Sequence, residues 1–390
     1  MRNQHKELES IQNKNYDLKM ITILVFSKNR HYFLKRQINY WKNENIKLLI
    51  FDESPNWLDV DLKMYKNIEY HNVGTFSERC LAAIDFIDTP YTMISADDDF
   101  IIKSSLYKCL QFLENNNDIA CCGGQFMNFQ PIKNQIQFQF SYKENQNFYN
   151  KSDIISERVE LQTSPYTMTS WYALKRSNQL KKSLYTLGKL VDISSPQINA
   201  SPEITEVILE ITNSILGKSI SLKDILYLRS VESASTWVSN WGGLRCWMLT
   251  NYHKKSRELV IANICKSISE VTNLDTSEIR SLFLVGFRNY ALNQNPSLFN
   301  KLRLLILRFL WDLFLNFPKI RKLFYYFKSR LFKKQVVNES FFKPDLTVTV
   351  DGAIKNESDL LGIEEDLIHI YNPIKNFSKD FFIATKVIEN

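Results

Sequence analysis

Short apolar runs alternate with helical patterns along the first third of the chain. Apolar and β-branched residues cover 20–26, 46–51, 68–71 and 91–95. Between most of these runs, apolar side chains recur every three or four residues, as on a helix with one buried face. Strands separated by helices predict a parallel sheet with helices packed on its faces. We therefore expect a Rossmann-like α/β fold over residues 20–130.

Polar residues stand where three of these strands end. They are Ser27, Asn29 and Arg30 after the first strand, Asp52 after the second, and Asp97, Asp98 and Asp99 after the fourth. Open α/β sheets bind ligands at the carboxyl ends of their strands, so we expect these side chains to line one site. Carboxylates suit Mg²⁺ or Mn²⁺, which share phosphate oxygens when the protein supplies few ligands. A solvated acidic turn is the alternative.

Four ordered segments match a known family. They are residues 21–30 (ITILVFSKNR), 49–54 (LIFDES), 72–74 (NVG) with Arg79, and 93–99 (MISADDD). In this order they resemble the donor-binding half of family 2 inverting glycosyltransferases of the GT-A type. The resemblance covers about the first 130 residues and implies a metal-dependent enzyme that binds a nucleotide-sugar donor.

The resemblance also implies roles for individual residues. Asp52 would contact the nucleoside, Arg79 would lie near the base or the phosphates, and Arg229 resembles a downstream arginine that approaches the diphosphate. The full set of implied nucleotide-sugar ligands is Ser27, Asn29, Arg30, Asp52, Arg79, Asp97, Asp98 and Arg229. Simpler roles stay open, because Asp52 can merely end a strand and Arg79 can pair with Glu78.

The three adjacent aspartates leave the metal pair ambiguous. The family motif has two aspartates, and this chain offers either Asp97 with Asp99 or Asp98 with Asp99. We favour the spaced pair, Asp97 and Asp99, as ligands of Mn²⁺ or Mg²⁺.

Inverting transfer needs a general base that takes the proton of the acceptor hydroxyl. Glu203 and Glu206 lie three residues apart at the start of a predicted helix, hence on one face. In family 2 enzymes an acidic pair at a comparable place supplies the base. The alternative is a pair of acids that merely complement the helix dipole. Asp192 and Asp224 are rival bases.

The second half of the chain is harder to interpret. We divide the sequence into a tail (1–19), a GT-A domain (20–255, with a donor half 20–130 and an acceptor half 131–255), a helical basic extension (256–335) and a small segment (336–390). Aromatic candidates for a sugar-binding wall, or for the core, are Tyr166, Trp171, Tyr172, Trp237 and Trp241.

Residues 298–334 combine basic and aromatic side chains and are too charged to span a bilayer. They fit either a membrane-surface helix pair, which a lipid-linked acceptor would explain, or a bundle packed on the main domain. Residues 343–374 resemble the segment that closes the first domain of GT-B family 4 enzymes, without their donor-binding residues. The tail lacks the apolar core of a secretory signal. We expect a cytoplasmic protein, with peripheral contact to the inner face of the membrane.

Composition limits the kinds of partner and metal site that we expect. The formal net charge of +7 over 390 residues permits an anionic partner such as a nucleotide diphosphate, and we expect no nucleic acid. Six cysteines without CxxC spacing predict buried thiols, and the five histidines lack zinc-site spacing.

The sequence thus predicts a glycosyltransferase that moves a sugar from a nucleotide-sugar donor to a glycan or lipid-linked acceptor in bacterial surface polysaccharide synthesis. A nucleotidyltransferase would also use metal and aspartates, but the loop at residues 27–30 has no glycine. A non-catalytic, membrane-associated carbohydrate-binding protein is the third hypothesis.

Overall fold

The structure is a computed structural model. It describes residues 17–132, 135–141, 148–164, 166, 168–190, 203–232, 243–292, 346–349, 354–355, 366–367 and 370. Several predictions lie outside these residues: most of the tail, Asp192, Trp237, Trp241 and the region 298–334.

Twelve strands and nine helices are described. The strands are β1 (Ile21–Ser27), β2 (Lys47–Asp52), β3 (Ile68–Asn72), β4 (Tyr91–Ala96), β5 (Phe100–Ile101), β6 (Ile119–Ile132), β7 (Gln135–Ser141), β8 (Tyr149–Asn150), β9 (Leu174–Arg176), β10 (Lys218–Ser230), β11 (Leu346–Thr349) and β12 (Ile354–Lys355). The helices are α1 (His31–Trp41), α2 (Phe76–Phe86), α3 (Lys103–Asn115), α4 (Ile155–Thr163), α5 (Ser177–Gly188), α6 (Glu203–Leu216), α7 (Gly243–Leu249), α8 (Lys254–Val271) and α9 (Thr276–Leu292).

The first four strands form a parallel sheet in the order β3, β2, β1, β4. This order is that of a Rossmann half, so the predicted α/β fold is confirmed. Beyond β4 the sheet is mixed: β9 runs antiparallel between β4 and β6, and β10 runs parallel to β6. Helices α8 and α9 occupy the described part of the extension predicted as helical.

Both faces of the parallel sheet are buried. On one face, Ile23 and Val25 of β1 share a cluster with Leu34 of α1. On the other, Leu24 joins a second cluster with Cys80 of α2. Alternate residues of a strand point to opposite faces, which explains why β1 is apolar throughout. The strand ends that carry the site are therefore fixed by a core on either side.

Strands β6 and β10 approach closely at Gly124. A Cβ added there would lie 2.6 Å from the carbonyl oxygen of Asp224 and 2.7 Å from Cβ of Leu226. We predict that Gly124→Ala lowers the free energy of unfolding by about 1–3 kcal/mol, measured by urea denaturation. Gly74→Ala is the control, because its Cβ would meet only the end of the Glu78 side chain. An equal or larger loss in the control would contradict the prediction.

The described residues of the C-terminal segment contact both halves, because β11 pairs with β7 and Asp366 bonds to α3. Asp366 accepts a hydrogen bond from the hydroxyl of Ser104, in the first turn of α3. Leu367 and Ile370 are buried in the cluster that contains β1.

The cysteine prediction also holds for the described side chains. Cys80, Cys109, Cys121, Cys122 and Cys265 are buried and form no disulfide. Burial raises the pKa of Cys121 to about 12, which keeps its thiol protonated and unreactive. None of the helices in the described part of the chain combines the length and apolarity needed to cross a bilayer.

Candidate functional site

The three aspartates form a buried turn at the carboxyl end of β4. Their exposed fractions are 2% for Asp97, 6% for Asp98 and 3% for Asp99. Carboxylates with so little contact to water need charged or hydrogen-bonding partners. We call residues 97–99 the acidic turn, and its partners define the site.

Arg30 bridges two of these carboxylates. Its Nη1 lies 2.9 Å from Oδ1 of Asp97, and its Nη2 pairs with Oδ2 of Asp98. The other oxygen of Asp97 accepts a 2.7 Å hydrogen bond from the hydroxyl of Ser27, at the end of β1. The structure therefore brings Ser27, Arg30, Asp97 and Asp98 together, with one cation shared by two carboxylates.

The backbone at Asn29 directs Arg30 toward the turn. Asn29 has a φ of 58°, in the left-handed region that asparagine adopts more readily than most residues. Its backbone N–H donates to the hydroxyl of Ser54, 2.8 Å away. The loop after β1 is thereby tied to the loop after β2.

Asp99 points away from Arg30. Its Oδ2 accepts a 2.8 Å hydrogen bond from the Tyr227 hydroxyl, and its Oδ1 accepts a 2.7 Å bond from the backbone N–H of Ser230. Burial, with the neighbouring charge of Asp98, raises the pKa of Asp99 to about 8. The Arg30 guanidinium therefore pairs with Asp97 and Asp98, whereas Tyr227 and Ser230 of β10 hold Asp99. The metal pair expected from the sequence, Asp97 with Asp99, stays a prediction.

Asp97 and Asp98 fit a divalent metal ion by their chemistry. Both offer carboxylate oxygens, and the Arg30 guanidinium already occupies a position between them as a cation. Within the described part of the chain, no group of three or more His, Cys, Asp or Glu side chains can enclose a metal. An ion bound here would complete its shell with water and phosphate oxygens, as Mg²⁺ commonly does.

Helix α1 stabilises the backbone of the acidic turn through hydrogen bonds. Arg36 and Gln37, both buried, donate to the carbonyl oxygens of Asp98 and Asp99. Arg36 also pairs with Glu232, with 2.5 Å between Nη1 and Oε2. The roles of these two residues were not predicted from the sequence. One feature of the sequence could have identified them, since both are polar side chains on the face of α1 that the apolar pattern predicts to be buried.

Asp52 lies at the end of β2 with its carboxylate fully buried. It accepts hydrogen bonds from the Tyr70 hydroxyl at 2.8 Å and the Ser54 hydroxyl at 2.7 Å, and Nε2 of His31 lies 2.9 Å away. His31 and Tyr70 remain partly exposed. Asp52 therefore organises a group of polar side chains beside the acidic turn. We call this group, formed by His31, Ser54 and Tyr70 around Asp52, the rim.

Arg79 is anchored to the ends of β1 and β2. It donates to the carbonyl oxygen of Ser27 at 2.5 Å and pairs with Glu53 at 2.8 Å. Glu78 instead forms a capping box with Thr75 at the start of α2. The alternative pairing of Arg79 with Glu78 is therefore wrong.

A second group of residues approaches the acidic turn from the acceptor half. Glu206 of α6 accepts a 2.8 Å hydrogen bond from the Tyr166 hydroxyl. Burial raises the pKa of Glu206, and the positive charge of Arg229 opposes this rise. Burial also raises the pKa of Tyr172, and the charges of the acidic turn and of Glu206 raise it further. Glu206, Arg229, Tyr172 and the acidic turn thus interact electrostatically, whereas Glu203 stands one turn earlier on α6.

Asp224 and Tyr172 differ in their position relative to the acidic turn. Asp224 pairs with Lys108 of α3 and is not brought to the acidic turn. Tyr172, one of the predicted wall residues, stacks on Tyr227 with 4.2 Å between ring centroids.

In sequence, no known family's model matches the chain, and no curated protein is significantly similar to it. Three solved structures have distantly similar folds. TarS 1–349 of S. aureus is 10% identical, with 70% of this chain and 89% of that chain covered and a TM-score of 0.41. The same fragment in complex with UDP-GlcNAc is 12% identical, with the same coverage and a TM-score of 0.39. The mannosyltransferase PcManGT of Pyrobaculum calidifontis, in complex with GDP-Man and Mn²⁺, is 9% identical, with 74% and 75% covered and a TM-score of 0.34.

Proposed function

We propose that this chain is a metal-dependent inverting glycosyltransferase of the GT-A type, which moves a sugar from a nucleotide-sugar donor to an acceptor hydroxyl. One observation carries the proposal. Two buried carboxylates, Asp97 and Asp98, pair with the same Arg30 guanidinium at the carboxyl ends of parallel strands. The site-lining residues inferred by family resemblance support it, since Ser27, Arg30 and Arg229 lie around the acidic turn.

The donor would bind across the strand ends. Asp97 and Asp98 would hold Mn²⁺ or Mg²⁺, with Arg30 and Arg229 as cationic partners for the diphosphate. When bound, the metal ion stabilises the negative charge of the leaving group. The rim organised by Asp52 would receive the nucleoside, because it lies beside the acidic turn and carries polar groups that are partly exposed.

Glu206 is the general base in this proposal. It accepts the proton of the acceptor hydroxyl while the hydroxyl oxygen attacks the anomeric carbon. The bond from that carbon to the phosphate oxygen breaks, and its electron pair leaves with the nucleotide. A single displacement of this kind inverts the anomeric centre. The hydrogen bond from Tyr166 orients Glu206, and its raised pKa suits a base that works near neutral pH.

The acceptor is proposed to be a glycan or a lipid-linked glycan of bacterial surface polysaccharide synthesis, reached from the cytoplasmic side. Membrane contact through residues 298–334 would bring the site to a lipid-linked acceptor. The basic and aromatic composition of that region supports this part of the proposal.

A nucleotide-release assay tests the proposal. The intact protein is incubated with UDP-, GDP- and CMP-sugars and Mn²⁺, and the released nucleotide is measured. We expect one donor class to be turned over, with the nucleotide as product. In a parallel incubation with nucleoside triphosphates and sugar phosphates, release of pyrophosphate would favour a nucleotidyltransferase instead. Absence of turnover, together with absence of donor binding in calorimetry, would favour a non-catalytic carbohydrate-binding protein.

A further inference from the structure

Helix α6 carries a fully buried acid that the proposed chemistry does not use. Glu210 lies one turn after Glu206, and its residue has no exposed surface. Its carboxylate accepts from the backbone N–H groups of Ser170 at 3.0 Å and Trp171 at 2.6 Å. It also accepts from the Ser170 hydroxyl at 2.6 Å and the Gln162 amide at 2.9 Å. Burial raises the pKa of Glu210 to about 7, and the hydrogen bonds from Ser170 and Trp171 favour its ionised form. Four donors converge on this one buried carboxyl group, so it fixes the backbone that it contacts.

A buried cation holds the same stretch from its carbonyl side. Nζ of Lys175 donates to the carbonyl oxygens of Trp171 at 3.1 Å and Ala173 at 3.2 Å. Residues 168–173, which we call the linking segment, are thus held by buried groups of opposite charge. Burying such charges lowers stability unless every one is well paired, and apolar residues often serve stability equally well. Two of them on one short segment favour a role in fixing its conformation.

The linking segment reaches the acidic turn through two aromatic rings. The Tyr172 ring lies at 19° to the ring of Tyr227, on which it stacks. The Tyr227 hydroxyl donates to Asp99 and accepts from the backbone N–H of Ala96, at 2.8 and 3.0 Å. A continuous series of contacts therefore runs from Glu210 to the turn that carries the proposed donor site.

Helix α6 also holds this part of the chain at a second point, because Glu206 accepts from Tyr166. We propose that Glu210 is a positioning residue, which fixes helix α6 and its base Glu206 at the correct distance from the acidic turn. The proposal rests on the proposed function for its catalytic consequence. Its structural part, the coupling of Glu210 to the acidic turn, can be measured without activity.

Hydrogen exchange tests the coupling directly. In Glu210→Gln, an amide replaces the carboxylate. The NH₂ group of this amide then faces N–H or O–H groups that donated to the carboxylate. We expect the backbone amides of Ser170 and Trp171 to exchange about tenfold faster, and that of Ala96 to exchange faster as well. The control is Thr212→Val, since the Thr212 hydroxyl is buried on the same helix and donates to the carbonyl oxygen of Ile208. Unchanged exchange at Ala96 in Glu210→Gln would overturn the proposal.

Kinetics test the catalytic consequence. The variant is Glu210→Gln or, if it does not fold, Ser170→Ala, which removes one hydrogen bond to Glu210. At a temperature well below unfolding, we expect the kcat of the variant to fall about tenfold. Its Kd for the donor should stay within about threefold of that of the unaltered protein. A purely structural role would lower Tm and leave kcat per folded molecule unchanged, which would overturn positioning. Absence of donor turnover in the unaltered protein would overturn the proposed function, and the exchange at Ala96 would then decide the coupling by itself.

Discussion

Replacing Arg30 with glutamine should lower the free energy of unfolding by about 3 kcal/mol, because the change leaves two buried carboxylates without their cation. Asp97 and Asp98 each pair with the Arg30 guanidinium, whose side chain is itself only 25% exposed. Mn²⁺ should restore more stability to Arg30→Gln than it adds to the unaltered protein, since an ion can then take the position between the carboxylates.

Thermal unfolding at neutral pH, with and without millimolar Mn²⁺, measures both effects. Lys28→Gln is the matched control in the same loop. Lys28 forms an exposed ion pair with Glu53, and such pairs contribute less than about 1 kcal/mol. If Mn²⁺ stabilises Arg30→Gln no more than it stabilises the control, Asp97 and Asp98 do not form a cation site.

Glu206→Gln should lower the rate of sugar transfer by about 10²- to 10⁴-fold while the donor still binds, because glutamine cannot accept the proton of the acceptor. The substitution keeps the size of the side chain and an oxygen that can accept from Tyr166. The rate of the unaltered protein should rise with pH as Glu206 ionises. Since burial raises the pKa of Glu206, this rise should lie above the usual range of a glutamate.

Glu203→Gln is the control for this prediction. Glu203 is the first residue of α6 and is partly exposed, so we expect a much smaller change in rate. A large loss in Glu203→Gln with little change in Glu206→Gln would assign the base to Glu203 instead. Rates at saturating donor, with donor Kd measured separately, distinguish lost chemistry from lost binding.

The first half of the fold was predictable because its signals are local. The apolar run at residues 91–95 became β4 (Tyr91–Ala96), and the helical pattern between the third and fourth runs became α2 (Phe76–Phe86). Strand β10 was not predicted. It pairs with β6 through several register shifts, which disturb the regular alternation that identifies a strand in sequence.

The site could be predicted only as a set of strand ends. Ser27, Arg30 and Asp97 follow β1 and β4, so their meeting follows from the parallel sheet. The orientation of Asp99 depends on Tyr227 and Ser230, about 130 residues later, and no local pattern specifies that contact. The role of Glu210 could not be predicted for the same reason, since its position in the sequence fits an ordinary helical residue.

A nucleotide-sugar donor should bind at the acidic turn together with a metal ion. Calorimetric titration of UDP-, GDP- and CMP-sugars, with and without Mn²⁺, tests it on the intact protein and on Asp97→Ala. Asp118→Ala, an exposed aspartate that pairs with Lys218, is the control. We predict Mn²⁺-dependent binding of one donor class that Asp97→Ala abolishes and the control retains. Donor binding that is equal in Asp97→Ala, or no binding of any donor to the unaltered protein, would contradict the account.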